Sequence, residues 1–185
     1  MGQAFFPMFV NISDKKIVIV GGGTVAARRV KTLLLFVGKV TVVSPELCDE
    51  LNPLPKGVCW IMRKYGEEAA EVSGVIPKMV EAGEKACVDV TSEVVSARVD
   101  KVLHGADIVF AATNQTEVNE RVYADCRLLE IIEGRKIFVN CADDKRRCDF
   151  FFPAVVQSGE ITIGINSGGQ NVKKVREVRE KLDGM

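Results

Sequence analysis

The chain has no C-x-x-C pair, a single histidine, no net charge and no apolar run near the roughly 20 residues of a membrane helix. Its cysteines (Cys48, Cys59, Cys87, Cys126, Cys141, Cys148) lie mostly in apolar stretches. That argues against a zinc site or a disulfide framework and for reduced thiols, and no metal is expected. Lys+Arg and Asp+Glu both number 25, so no global field recruits nucleic acid or an anionic membrane. The opening Met1-Gly2-Gln3-Ala4-Phe5-Phe6 lacks the basic start and apolar stretch of a secretory signal. Phe6 also stands where myristoylation needs Ser or Thr, so the chain reads as untargeted and cytoplasmic. The lone His104, before Gly105, reads as part of a connecting loop.

What is present fits one globular core: 47% hydrophobic and 27% charged residues. Ile17 to Val20 is a continuous β-branched run, as expected of a strand buried on both faces of a parallel sheet. From Thr24 to Val37 the spacing turns helical. Ala26, Val30, Leu33, Leu34 and Val37 share a face, Arg28, Arg29 and Lys31 point outward, and Gly38 ends the helix. Val40 to Val43 is a second strand and completes a βαβ unit.

Further strands are predicted at Cys59–Met62, Asp107–Ala112 and Lys136–Asn140. A helix from Val118 to Glu133 turns Val118, Val122, Leu129 and Ile132 inward, and Gly134 closes it. Phe150–Val156 and Ile161–Ile165 read as two strands joined around Ser158-Gly159, followed by a charged helix from Val172 to Leu182. The fold class is α/β: a Rossmann-type doubly wound parallel sheet with a short C-terminal β-hairpin and helix. Residues 1–141 are expected to form the sheet domain, and 142–185 a separate C-terminal segment that leaves the doubly wound sheet. Residues 67–103, broken by Gly74, Pro77 and Gly83, fit this rhythm poorly.

Gly21, Gly23 and Ala26 make G-x-G-x-x-A between a strand and a helix. The first glycine permits a sharp turn, the second lets a pyrophosphate approach, and the small third residue lets helix and strand pack closely. The acidic residue that usually holds the ribose 2′-hydroxyl would fall near Ser44, with Glu46 just beyond. No arginine beside Ser44 invites a 2′-phosphate, so NAD is favoured over NADP. Ala112-Thr113-Asn114 ends another strand at the ligand-binding edge, either leaving room for ribose and nicotinamide or simply packing closely. Asp143 and Asp144 follow the next strand, beside Lys145, Arg146 and Arg147. That cluster is a solvated turn or a reactive one, and the aromatic run Phe150 to Phe152 beyond it could shield a flat ligand. Ser167 and Gly168 offer donors for a carboxylate or phosphate, or an ordinary helix cap.

These motifs in this order resemble the precorrin-2 dehydrogenase family, also met as the N-terminal part of siroheme synthase. The resemblance rests on FFPMFVNISDKKIVIVGGGTVAARRVKTLL, VTVVSPEL, ADIVFAATNQTEVNERV, IFVNCADDKRRCDFFFPAVV and ITIGINSGG. It implies NAD-dependent oxidation of precorrin-2 to sirohydrochlorin by a homodimer, and some members also insert ferrous iron. The family's essential aspartate maps onto Asp143, and its cofactor loop onto Gly21, Gly22, Gly23, Thr24 and Val25. The nicotinamide side maps onto Ala112, Thr113 and Asn114, and an active-site serine onto Ser167. Residues 67–103 look like an insertion relative to the family. After Ser167-Gly168-Gly169 relatives continue with Ser-Pro and an alanine-rich helix, whereas this chain reads Gln170-Asn171-Val172-Lys173-Lys174 and stops at Met185.

Asp143 is the expected base, with Asp144 as the alternative. Lys145, Arg146, Arg147, Lys173 and Lys174 are candidate partners for a substrate rimmed with carboxylates. Two other readings compete: a bifunctional dehydrogenase and sirohydrochlorin ferrochelatase, and a non-catalytic module that senses NAD.

Overall fold

The computed structural model describes residues 6–67 and 98–183. The strands are β1 (Ile17–Val20), β2 (Val40–Ser44), β3 (Val58–Met62), β4 (Ile108–Ala111) and β5 (Phe138–Cys141). They form one parallel sheet in the order β3-β2-β1-β4-β5. Helices α1 (Thr24–Leu33) and α2 (Thr116–Glu133) cover its two faces. Because the strand order reverses between β1 and β4, their C-terminal ends open a crevice. No helix among the described residues is long and apolar enough to cross a membrane.

The continuous apolar run of β1 is explained by double-sided burial. Ile17 and Ile19 face α1 with Val40, Val42 and Phe110, against Ala26, Ala27, Val30 and Leu33. Val18 and Val20 face the other way with Val109 and Val139, against Val122, Cys126 and Leu129 of α2. Each fully buried Val or Leu stabilises the fold by about 1.5–3 kcal/mol. The inward face of α2 keeps the expected Val122 and Leu129, with Val118 partly buried against the core, and departs from expectation only at Ile132, which is not in that core cluster. Asn119, Val122, Cys126 and Leu129 are buried there, and Gly134 closes the helix in the left-handed conformation.

Helix α1 is shorter than its apolar spacing predicts. It ends at Leu33, and Leu35 and Phe36 N–H groups bond only three residues back, to Thr32 and Leu33 carbonyls. Val37 still reaches the core from this tightened turn, and Gly38 follows it without capping the helix. Arg29, expected outside, is buried, and its guanidinium lies 5.0 Å from the Phe110 ring centroid.

Beyond β5 the chain crosses to the α1 side. Phe150 and Phe152 meet Phe110 edge-on, at centroid distances of 5.7 and 5.4 Å. The aromatic run expected to shield a ligand therefore contributes two anchors to the core. Strands β6 (Ala154–Ser158) and β7 (Ile161–Ile165) then form an antiparallel hairpin, and α3 (Val172–Asp183) packs against β6.

Most of the segment expected to be an insertion, residues 68–97, lies outside the described residues. Its far end, Val99 to Leu103, belongs to the core beneath β4. Buried Asp100 accepts both Arg63 Nη atoms (2.6 and 2.7 Å) and the N–H groups of Gly66 (2.7 Å) and Val102 (3.1 Å). Burial alone would raise its pKa; those four donors hold the carboxyl below the usual range.

Candidate dinucleotide cleft

Strand β1 delivers the chain into Gly21, whose φ of 122° is closed to ordinary side chains. A Cβ there would collide with Ala112 O, so the ends of β1 and β4 touch backbone to backbone. A Cβ on Gly22 would collide with Glu46 O and with Ser44 Oγ. Gly21 N–H donates to Val43 O (2.9 Å) and Cys48 N–H to Gly22 O (2.8 Å), fixing the loop against the end of β2. Both glycines are thus required by the protein's own packing.

Gly23 differs. Its backbone is extended (φ −83°, ψ −175°), and nothing lies within 4 Å of where a Cβ would project. No contact among the described residues demands glycine here; a phosphate resting on the start of α1 would. The first turn of α1 carries no acidic residue and no side-chain cap, so its N–H groups and positive dipole end are available to an anion. The loop therefore fits a dinucleotide pyrophosphate.

The crevice is an open cleft of about 750 Å³. Gly21 to Val25 form its floor, Ser44 to Cys48 one wall, Ala112 to Gln115 the other, and Lys64 and Tyr65 its far end. All the expected cofactor residues meet here. Ser44 sits differently from the usual ribose-binding carboxylate: its Oγ is buried against Gly22 with no hydrogen-bond partner among the described residues. Exposed Glu46 is the carboxylate on this wall, and Lys64 is a cation on the β3 side. Tyr65 is fixed by donating its hydroxyl to Asp125 Oδ2 (2.7 Å), and burial pushes its pKa far up.

Asn119 was missed by sequence reasoning. Its Oδ1 accepts from Thr113 N (3.1 Å) and Thr113 Oγ1 (2.8 Å), and its Nδ2 donates to Thr113 O (3.2 Å). One buried amide thereby fixes Thr113 within the Ala112–Gln115 turn. The available signal was an asparagine in phase with Val122, Cys126 and Leu129 on the apolar stripe of α2.

The remaining expected residues gather beside the cleft. Asp143 follows Ala142, whose N–H still donates to Ala111 O (2.9 Å). It is exposed and makes no hydrogen bond or ion pair among the described residues. Asp144 is structural: it caps the 3₁₀ turn Lys145–Arg147 by accepting from Arg146 N (3.0 Å) and pairs with Arg146 and Arg147. Those hydrogen bonds, foremost from the Arg146 side chain, hold its pKa below the usual range. Arg147 also pairs with Glu120 (2.9 Å). Lys145 Nζ instead donates to Gly169 O (2.9 Å), which sets the Asp143 turn beside the Ser167–Gly169 turn. Ser167 Oγ accepts from Asn171 N (3.0 Å), and Asn171 Oδ1 accepts from Lys174 N (2.9 Å) at the start of α3. Ser167 and Gly168 thus serve at least as part of a helix entry.

Comparison with known proteins agrees with this geometry. Residues 8–154 match the family model described as "Putative NAD(P)-binding". The siroheme synthase of Mannheimia succiniciproducens is 28% identical over 98% of this chain and 30% of its own length. That of Baumannia cicadellinicola subsp. Homalodisca coagulata is 30% identical over 97% of this chain and 31% of its own. The chain thus spans less than a third of the length of these curated relatives. Among solved structures, the precorrin-2 dehydrogenase SirC superposes with a TM-score of 0.63 at 19% identity, covering 97% of this chain and 70% of that one. At that identity it speaks for the fold. The chain belongs to this NAD(P)-binding family, and siroheme synthases aligned along nearly its whole length bear out the resemblance carried by its motifs.

Proposed function

We propose that this protein oxidises precorrin-2 to sirohydrochlorin with NAD as the acceptor, as a cytoplasmic homodimer. The observation that carries the reading is the open Cβ position of Gly23 at the uncapped start of α1, within a chain that siroheme synthases match end to end. Gly21 to Val25 would hold the pyrophosphate, Glu46 and Ser44 flank the ribose, and Ala112 to Asn114 border the nicotinamide. Glu46, the carboxylate next to the end of β2, favours an unphosphorylated ribose and hence NAD over NADP. When bound, the cofactor supplies the two-electron acceptor.

The chain's own residues orient the substrate and take its proton. Asp143, exposed at the sheet edge with both oxygens unengaged, is the base. Lys145, free of any carboxylate partner among the described residues, and Arg146, with its side chain 88% exposed, are the cations best placed for acetate and propionate groups. Arg147, Ser167 and Gly168 complete that face. Ile161, 64% exposed on the hairpin, and Val172, 72% exposed on α3, supply apolar surface for a second copy.

The test is turnover of precorrin-2 with NAD, followed by sirohydrochlorin and NADH absorbance, with light scattering for the dimer. The two products should rise together. NAD binding with no turnover would refute the enzyme and leave a nucleotide-sensing module.

A further inference from the structure

A buried charge on the cofactor helix stands outside the mechanism above. Arg29 projects from the inner face of α1, and it is only 8% exposed. No carboxylate pairs with it among the described residues, and its Nη1 has no hydrogen-bond partner. The Phe110 ring face compensates it only in part. Burial pushes its pKa down to about 10, so the guanidinium is still charged at neutral pH. A lone buried cation of this kind destabilises a fold, and an apolar residue of similar volume is often neutral or better.

What Arg29 does hold is Asn140. Its Nη2 donates to Asn140 Oδ1 (2.6 Å), and Asn140 Nδ2 donates to Phe150 O (2.8 Å). Asn140 is the register partner of Phe110 on β5, itself buried, and the chain leaves the sheet one residue later, after Cys141. Between Asn140 and Phe150 runs the loop bearing Asp143, closed further by Cys148 Sγ donating to Cys141 O (3.2 Å). The same helix that begins at the glycine loop therefore reaches across the sheet to both ends of the Asp143 loop.

We infer that Arg29 is a positioning residue, which through Asn140 sets the Asp143 loop relative to the helix that receives the dinucleotide. The inference rests on the reading of Asp143 as the base. It explains why a destabilising charge is kept where Met would pack: misplacing a reacting group by about 1 Å can cost on the order of 10²-fold in rate.

The experiment compares the wild-type chain, Arg29→Met, Asn140→Ala and the double variant by thermal melting, NAD titration and steady-state turnover of precorrin-2. Arg29→Met should melt no lower than wild type and bind NAD unchanged, with kcat down about 10–100-fold and KM for NAD little moved. The double variant should turn over no more slowly than Asn140→Ala alone, because both changes break one link. Full kcat in Arg29→Met would overturn the inference, as would independent, multiplying losses in the double variant. So would activity lost only in step with melting temperature, including a variant that fails to fold, since Arg29 would then be a structural strut. An inactive wild type is a separate result: it removes the proposed function and this inference with it, and is read before any variant.

Discussion

The cleft and the Asp143 turn share one sheet edge, but they are held in different ways. Around the cleft, backbone meets backbone at Gly21 and Gly22, and one buried amide, Asn119, fixes the facing turn. Around Asp143 the bonds are exposed: Asp144 to Arg146 and Asn166 to Gly168 within their own turns, and Lys145 to Gly169 between the two turns. The hairpin and α3 beyond it bury only Val156 and no residue, respectively. Under the proposed function the dinucleotide would meet a prebuilt surface, whereas the substrate would meet a thin rim on the same scaffold. Rigid packing against the sheet makes the first half precise; the second half depends on a few polar struts.

The sharpest way to break that contrast is within the glycine loop itself. Gly23→Asp should abolish NAD binding with the melting temperature unchanged, because a carboxylate beside the pyrophosphate costs several kcal/mol, or more than about 100-fold in affinity. Gly22→Ala should instead damage the fold, by on the order of 3 kcal/mol of overpacking against Glu46 and Ser44. Titration and melting of the two side by side decide it; equal affinity in the Gly23 variant would remove the phosphate assignment.

On the rim, Asp143→Ala should lower kcat by about 10²–10⁴ and leave NAD affinity and melting alone. Asp144→Ala should show the reverse, a small loss of stability from the uncapped turn and only a mild fall in rate. Wild-type turnover by the Asp143 variant would make that carboxylate a bystander.

Asn119→Ala tests whether the cleft is really prebuilt. It leaves Thr113 N–H without its partner, costing about 1–3 kcal/mol, and should weaken NAD by roughly tenfold as the turn relaxes. An unchanged NAD titration would mean that the turn holds its shape without the amide.

The smallest effect is expected from replacing residues 68–97 by a short linker. Gly66 N–H and Arg63 both bond Asp100, so the chain leaves and returns at one buried carboxylate, and the change in loop-closure entropy is small. NAD affinity should be retained; loss of the cooperative melt would show that the segment is part of the core.

Alternation of β-branched runs with helical spacing was enough to read the Rossmann sheet from the sequence, because burial on both faces forces that pattern on each strand locally, and turn glycines marked the loop after β1 and the closing hairpin. Gly21, Gly23 and Ala26 were legible from their fixed spacing between a strand and a helix, and Ala112–Asn114 from its place at the end of a strand. Non-local packing decided the rest. Arg29 reads as a surface residue on a helical wheel, and only the approach of Phe110 and Asn140 from two other strands brings it inside. Phe150 and Phe152 look like a ligand shield until the chain crosses back over the sheet and sets them edge-on against Phe110. Gly22 fills a variable position of the motif, yet the backbone of Glu46 makes glycine obligatory there. Periodicity reports which way a side chain must face within its own element, but which groups meet across elements is fixed only when the tertiary fold brings distant segments into van der Waals contact.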